Sequence, residues 1–477
     1  MLKDFFLEQV RKNFPFQPTP EQGQALEMLG HFLLDRNNDS LFLLKGYAGT
    51  GKSSLIGAMV KTLNELQQKV VLLAPTGRAA KVFASYAGQN ALTIHKKIYR
   101  QKAFSNDPSG FVLADNLHKH TLFIVDEASM ISNDGLDSFT FGSGRLLDDL
   151  IHFVYGGEGC RMILLGDSAQ LPPVMQTESP ALNPDILKGY GLDVSDFTLT
   201  HVVRQAEASG ILMNATSLRK SLENGETDVF PKLRTENYPD IEIVNGDTLI
   251  DKINEAYDRD GQEETIIICR SNKRANIFNN GIRNRILFCE EELESGDWLM
   301  IAKNNYYWGK DEKTMDFIAN GDLIEVKRIR KIQEMYGFRF CDIVAHFPDY
   351  ELDIELKILL ESLHTDTPSI PKEMSEKLFL SLLEDYSEIP GKREKMKKLK
   401  EDTYYNVVLV KYAYAVTCHK AQGGQWKNVF LDLSYVPAEY LNVEFYRWLY
   451  TAFTRATQKI YLINPVKDLL ETLSASS

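Results

Sequence analysis

The chain has 477 residues, 44% hydrophobic and 25% charged, which supplies apolar material for more than one core and excludes wholesale disorder. Its formal net charge of −12 excludes a protein that coats nucleic acid by bulk positive charge, but leaves room for a local basic track. Five widely spaced cysteines with no C-x-x-C pair point to reduced thiols, and no apolar run is long enough to span a bilayer, so a cytoplasmic protein is expected.

Residues 1–14 place Asp4, Glu8 and Arg11 among hydrophobes, the pattern of an amphipathic helix without a signal-peptide core. Continuous apolar runs at 41–45, 70–74, 122–126 and 162–167 predict buried parallel strands. The helical periodicity of 54–66 between the first two makes this a doubly wound α/β sheet. At 101–113 two strand-like pieces flank an Asn-Asp-Pro-Ser-Gly turn, which is either a protruding hairpin or an ordinary surface loop. A second set of buried strands at 265–269, 428–433 and 459–463 implies a second α/β domain. Between them, short antiparallel strands at 296–301 and 320–326 suggest an inserted β-barrel. An acidic stretch follows, with eleven acids and three lysines from Asp349 to Glu388, and then a basic one at 392–400. The expected domains are 1–178 with a hairpin at about 99–119, then 179–293 together with 406–477, and an insertion at 294–405.

The sequence GYAGTGKS at 46–53 fits G-x-x-x-x-G-K-[ST] between a strand and a helix. Gly46, Gly49 and Gly51 let backbone N–H groups curl around phosphate oxygens, and the helix N-terminus adds partial positive charge. Lys52 would reach the β- and γ-phosphates, and the Ser53 hydroxyl would ligate Mg²⁺. The apolar strand 122–125 ends in two carboxylates, Asp126 to hold the metal and Glu127 to orient and deprotonate a water. Gln170, in GDSAQLPPV at 166–174, is placed to sense the γ-phosphate, with Pro172 and Pro173 forming a rigid turn beyond it.

These motifs continue a longer ordered series: TPEQ (19–22), APTGRAA (74–80), TIH (93–95), DEAS (126–129), VRQ (203–205), YAVTCHKAQG (414–423) and YTAFTRA (450–456). In this order and over nearly the whole chain they resemble the superfamily 1 helicases, and the last two forms resemble the RecD and Dda branch, which moves 5′ to 3′ on single-stranded DNA. The resemblance implies two RecA-like parallel-sheet domains, with a small hairpin insertion in the first and an SH3-like β-barrel insertion in the second. It implies ATP and Mg²⁺ as cofactors, and single-stranded DNA and DNA forks as partners of a monomeric enzyme away from membranes. Gln22 matches the adenine-reading glutamine, an amide able to donate and accept at once. Thr50, Ser54, Gly423 and Gln425 fall among the nucleotide contacts, although Gln425 stands where a Glu often makes the ribose contact and Val203 where many relatives carry an aromatic. Arg204 and Arg455 match the two arginines that reach the γ-phosphate from the second domain.

On the DNA side, the resemblance implies contacts from Pro75, Thr76, Arg78, Thr93 and His95 on the first domain and from Thr417 and His419 on the second. They would follow a local basic field, seven cations against Glu65 alone between Lys61 and Arg100. Lys420 and Gln422 either contact nucleotide or couple the two sites. The hairpin matches the family's strand-splitting pin, where Phe104 or Phe111 would stack on the first base pair or lie buried beneath the turn. Tyr306, Tyr307 and Trp308 form either a platform or part of the barrel core. An ATP-driven DNA helicase is the expected function; an RNA or RNA–DNA helicase and an ATP-gated clamp stay open at this stage.

Overall fold

The computed structural model describes residues 2–101, 111–135, 142–202, 209–309, 315, 317–367 and 369–471. The chain folds into two compact units. The first comprises Met1–Arg100, Val112–Val244 and Ala421–Ser477; the second comprises Gln101–Phe111 and Asn245–Lys420.

In the first unit, the apolar runs become strands β1 (Ser40–Gly46) and β2 (Val70–Ala74), followed by the short β3 (Ala91–Thr93). Strands β4 (Tyr99–Gln101) and β5 (Phe111–Leu113) pair into a two-stranded ribbon at the expected hairpin, whose turn lies outside the described residues. The sheet continues with β6 (Leu122–Val125), β7 (Arg161–Gly166) and β8 (Asp193–Leu199). All six sheet strands are parallel, in the order β3-β2-β6-β7-β1-β8. The central strands need no polar alternation because both faces are covered; Leu41 through Leu44 and Met162 through Leu165 are fully buried. Strand β8 hydrogen-bonds along β1, so this sheet extends past the boundary expected at residue 178.

The N-terminal amphipathic helix, Leu2–Asn13, buries Phe6, Leu7 and Val10 in one core with Leu26, Leu29, Met59 and Leu63. Three more parallel strands belong to this unit: β9 (Ile241–Val244), and two near the chain's end, Trp426–Asp432 and Ala456–Ile463, with the last one in the middle.

The second unit has its own parallel pair, β10 (Thr265–Cys269) with a strand at Ala415–Thr417, and a closed five-stranded barrel. The barrel runs β11 (Trp298–Ile301), β12 (Leu323–Met335), β13 (Phe338–Phe347), β14 (Leu352–Leu359) and β15 (Val408–Tyr412). The remaining strands are then β16 (Ala415–Thr417), β17 (Trp426–Asp432) and β18 (Ala456–Ile463). Two expectations are corrected here. Strand β12 runs 13 residues, nine past the expected end at Val326, and β15 closes the barrel from beyond residue 405. The acidic stretch also contains structure: β14 lies within it, and the helix Lys372–Asp385 packs Leu378 and Leu382 with Leu399 of the basic helix Lys392–Lys400 against Phe338 and Phe340.

A buried ion pair ties the barrel to the helix Asn272–Arg285: Arg283 reaches Asp297 at 2.8 Å, and the Tyr414 hydroxyl donates to the same carboxylate at 2.9 Å. Removing either charge would strand the other without solvent. Tyr306 packs on Phe317 at 5.3 Å between ring centroids, and Phe111 packs on Tyr306 at 4.7 Å. The Trp308 indole donates to the Asn406 carbonyl at 2.8 Å. The aromatic trio is therefore engaged in packing. All five cysteines are free thiols. No described helix is long and apolar enough to cross a membrane.

Candidate active site

The loop after β1 is built for an anion. Gly49 and Gly51 have φ of 76° and 75°, a conformation that costs glycine nothing and other residues about 1 kcal/mol or more. Gly51 opens the helix Lys52–Glu65, so the loop amides and the helix N-terminus face the same space. That space is a cavity of about 370 Å³ within the first unit, lined among others by Lys52, Ser53, Asp126, Glu127, Gln170 and Arg455.

Gln22 lies beside the loop and is 3% exposed. Its Oε1 accepts from the Thr19 amide at 2.9 Å in a capping box, and its Nε2 donates to the Thr50 carbonyl at 2.9 Å. In this conformation its amide braces the phosphate loop from behind.

Glu127 is half-buried, its side chain 19% exposed, and adopts φ 51°, ψ 37°, a left-handed conformation uncommon for a glutamate. Its Oε1 is 3.8 Å from Nη1 of Arg455, while Oε2 is buried without a hydrogen-bond partner. Burial pushes its carboxyl above the ordinary range, and Arg455 and then Lys52 pull back against that rise. Arg455 is itself 3% exposed. Three acceptors hold its guanidinium, the Thr451 carbonyl at 3.1 Å, the Gly424 carbonyl at 3.2 Å and the Thr454 hydroxyl at 3.1 Å. Gln170 likewise keeps a buried Oε1 with no partner. Unmatched acceptors at two walls of one polar cavity mark where a ligand's donors or a water belong.

Several participants carried no assignment from the motifs. Asp167 is buried, which raises its carboxyl, and it accepts from the Tyr450 hydroxyl at 2.6 Å. The same hydroxyl accepts from the Ala48 amide at 2.9 Å, so one phenol joins the phosphate loop to the end of β7. Leu171 is clamped at both peptide groups: its amide donates to Thr451 Oγ1 at 2.9 Å, and its carbonyl accepts from Gln422 Nε2 at 2.8 Å. Tyr86 donates its hydroxyl to Asp126 Oδ2, and Asp126 Oδ1 accepts from the Glu127 amide at 2.8 Å. Gly57 makes this approach possible. A β-carbon there would lie 2.5 Å from the Tyr86 carbonyl and force the two helices apart.

The positions expected to touch DNA are placed as follows. Thr76 and Thr93 are helix N-caps, each hydroxyl accepting from a backbone amide at 3.2 Å. Capping uses an acceptor lone pair and leaves the hydroxyl proton to donate. Pro75 precedes the first of these caps. Arg78 stacks its guanidinium 3.9 Å from the Trp426 ring centroid and donates to the Gln425 carbonyl at 3.1 Å. Gly424 is the close-approach position beneath this stack, since a β-carbon there would fall 2.4 Å from the indole. Burial pushes the His95 imidazole down to about 4, so it is neutral at physiological pH. Thr417 and His419 lie at the end of β16 and in the short helix Cys418–Ala421. Lys420 is bonded to Asn320, and burial lowers its ammonium to about 8. Phe111 is 7% exposed beneath Tyr306, the buried arrangement. Phe104, Val203 and Arg204 lie outside the described residues.

Two family models match parts of this chain. Residues 19–233 match the AAA domain model, and 412–463 match the UvrD-like helicase C-terminal domain. An uncharacterised protein of Acanthamoeba polyphaga mimivirus is 23% identical over 90% of this chain and 96% of its own length. The ATP-dependent RecD2 DNA helicase of Deinococcus radiodurans is 28% identical over 60% of this chain and 36% of its own. The ATP-dependent DNA helicase Pif1 of Bdellovibrio bacteriovorus is 33% identical over 33% of this chain and 34% of its own. This chain therefore spans little more than a third of these two helicases. A solved Bacteroides Pif1 in complex with ADP-AlF3 and single-stranded DNA is 16% identical, covering 96% of this chain and 95% of its own, with a TM-score of 0.46. By its two domain matches and the relatives that share them, the chain belongs to the RecD/Pif1-like superfamily 1 helicases, a family of ATP-dependent DNA helicases.

Proposed function

We propose that this chain hydrolyses ATP to move 5′ to 3′ along single-stranded DNA and to separate duplex strands ahead of it. The observation that carries the ATPase reading is the convergence in one cavity of the phosphate loop, two consecutive carboxylates, a glutamine and a buried arginine. Ser53 and Asp126 offer the hydroxyl and carboxylate oxygens that would hold Mg²⁺, and the ion would supply charge neutralisation for the phosphates. Glu127 takes a proton from the attacking water at the otherwise unmatched Oε2. Lys52 and Arg455 meet the charge that develops on the phosphoryl oxygens, and the Gln170 amide orients the water.

Coupling to DNA runs through Leu171. Its amide and carbonyl bind Thr451 and Gln422, so displacement of Gln170 is felt by the segment leading back to Thr417 and His419. Within the first unit, Thr76 and Thr93 present hydroxyls fixed by capping, and neutral His95 contributes a hydrogen bond but no charge. Such contacts suit phosphate tracking without sequence preference.

Lys52→Ala tests the nucleotide assignment: DNA-stimulated ATP hydrolysis should vanish while circular dichroism and thermal melting stay those of the parent. Turnover retained at the parent's rate would overturn it. Direction is tested with otherwise identical duplexes carrying a 5′ or a 3′ single-stranded tail. The 5′-tailed duplex should be unwound at least tenfold faster, and a preference for the 3′ tail would remove the chain from the 5′-to-3′ branch.

A further inference from the structure

Strand β12 breaks its alternation twice. Its pairing with β13 passes from Val326 to Arg328 and from Ile329 to Lys331, leaving Lys327 and Arg330 as extra residues in two β-bulges. A bulge turns the next side chain to the face it would otherwise avoid. As a result Lys327 and Arg328, and then Arg330 and Lys331, are all exposed, whereas an uninterrupted strand would send every second one inward. Ile324 and Val326 still fill the barrel interior.

Acids answer only part of this charge. Lys327 meets Glu325 at 2.7 Å and Arg330 meets Glu355, both exposed pairs of the kind that exchange readily with solvent. Arg328 and Lys331 have no acidic partner among the described residues. Arg328 and Lys331 lie opposite Val344 and Asp342, two residues apart on β13, which at ~3.3 Å per residue puts the two cation pairs about 7 Å apart, a span of about two phosphates per strand along the axis of a double helix. Strand β12 contains no aromatic residue. A duplex offers its phosphates outward and hides its bases, so a ridge of cations without aromatics matches what a duplex presents.

We propose that this ridge of β12 binds the phosphate backbone of double-stranded DNA, holding the duplex arm of the substrate. The assignment rests on the helicase reading for the identity of the polyanion. Arg328 and Lys331 carry the contact, and Lys327 and Arg330 join when phosphate replaces their carboxylate partners.

The test compares the parent with Arg328→Ala/Lys331→Ala and Arg328→Glu/Lys331→Glu. Binding of a 5′-tailed duplex and of the tail strand alone is measured from 50 to 200 mM salt. Loss of two phosphate contacts should flatten the slope of log K against log salt for the tailed duplex by about 1.8, with single-strand binding and single-strand-stimulated ATPase unchanged. An unchanged slope for the tailed duplex overturns the proposal. So does an equal loss on the single strand, which would place the ridge on the tracking path. A parent chain that binds tailed duplex but no single strand would keep the ridge and overturn the translocase reading.

Discussion

Glu127→Gln should lower kcat for DNA-stimulated ATP hydrolysis by about 10²- to 10⁴-fold, the range for loss of a positioned general base, while nucleotide binding persists. The substitution keeps the shape of the side chain and an oxygen for Arg455, 3.8 Å away, but removes the site that accepts a proton. Binding of a fluorescent nucleotide separates the two effects. Unchanged affinity with lost turnover is the expected pair. Turnover within fivefold of the parent would mean that the base is elsewhere, with Asp167 a buried carboxylate of the same cavity.

Arg455→Ala should cost about 10³-fold in kcat, the scale of a transition-state arginine, and should also change how rate depends on pH. Burial raises the Glu127 carboxyl and Arg455 opposes that rise. Without the guanidinium the base holds its proton to higher pH. The acid limb of the kcat profile should therefore move to the alkaline side, with activity lost first at the low end of the range. Arg455→Lys separates charge from geometry. It keeps the positive charge, so the limb should stay near the parent's, but it cannot reproduce a fork held by Thr451, Gly424 and Thr454, and kcat should still fall by roughly 10². A limb that does not move in Arg455→Ala would break the electrostatic link between the two residues.

The parts legible in the sequence were those whose chemistry is contiguous along the chain. The phosphate loop needs glycines, a lysine and a serine within eight residues, and Asp126 with Glu127 needs one strand end. The buried strands announced themselves because parallel strands covered on both faces have no polar positions to confuse the pattern. Tyr86 could not be read this way. It lies three residues after Phe83 on a helix whose apolar face is core, and only the close helix contact over Gly57 carries its hydroxyl to Asp126. Thr76 and Thr93 gave no sign that their hydroxyls cap helices, because the same residue suits a cap and a phosphate contact equally. The length of β12 was hidden by its bulges. Two extra residues reverse the inside–outside pattern twice, so Lys327 to Lys331 looks like a polar loop to any reading by period.

The first unit takes its wall residues from distant stretches of one chain, with Gly46 near the start and Arg455 near the end. At a synthesis rate of about 5–20 residues per second, the phosphate loop leaves the ribosome roughly 20–80 s before Arg455 is made. During that interval the strands around the loop can form, and the loop can hold a nucleotide. Tyr450, which fixes Ala48 to Asp167, and the arginine facing Glu127 do not yet exist. The order of residues along the chain thus leaves this cavity without the arginine facing Glu127 until Arg455 has been made.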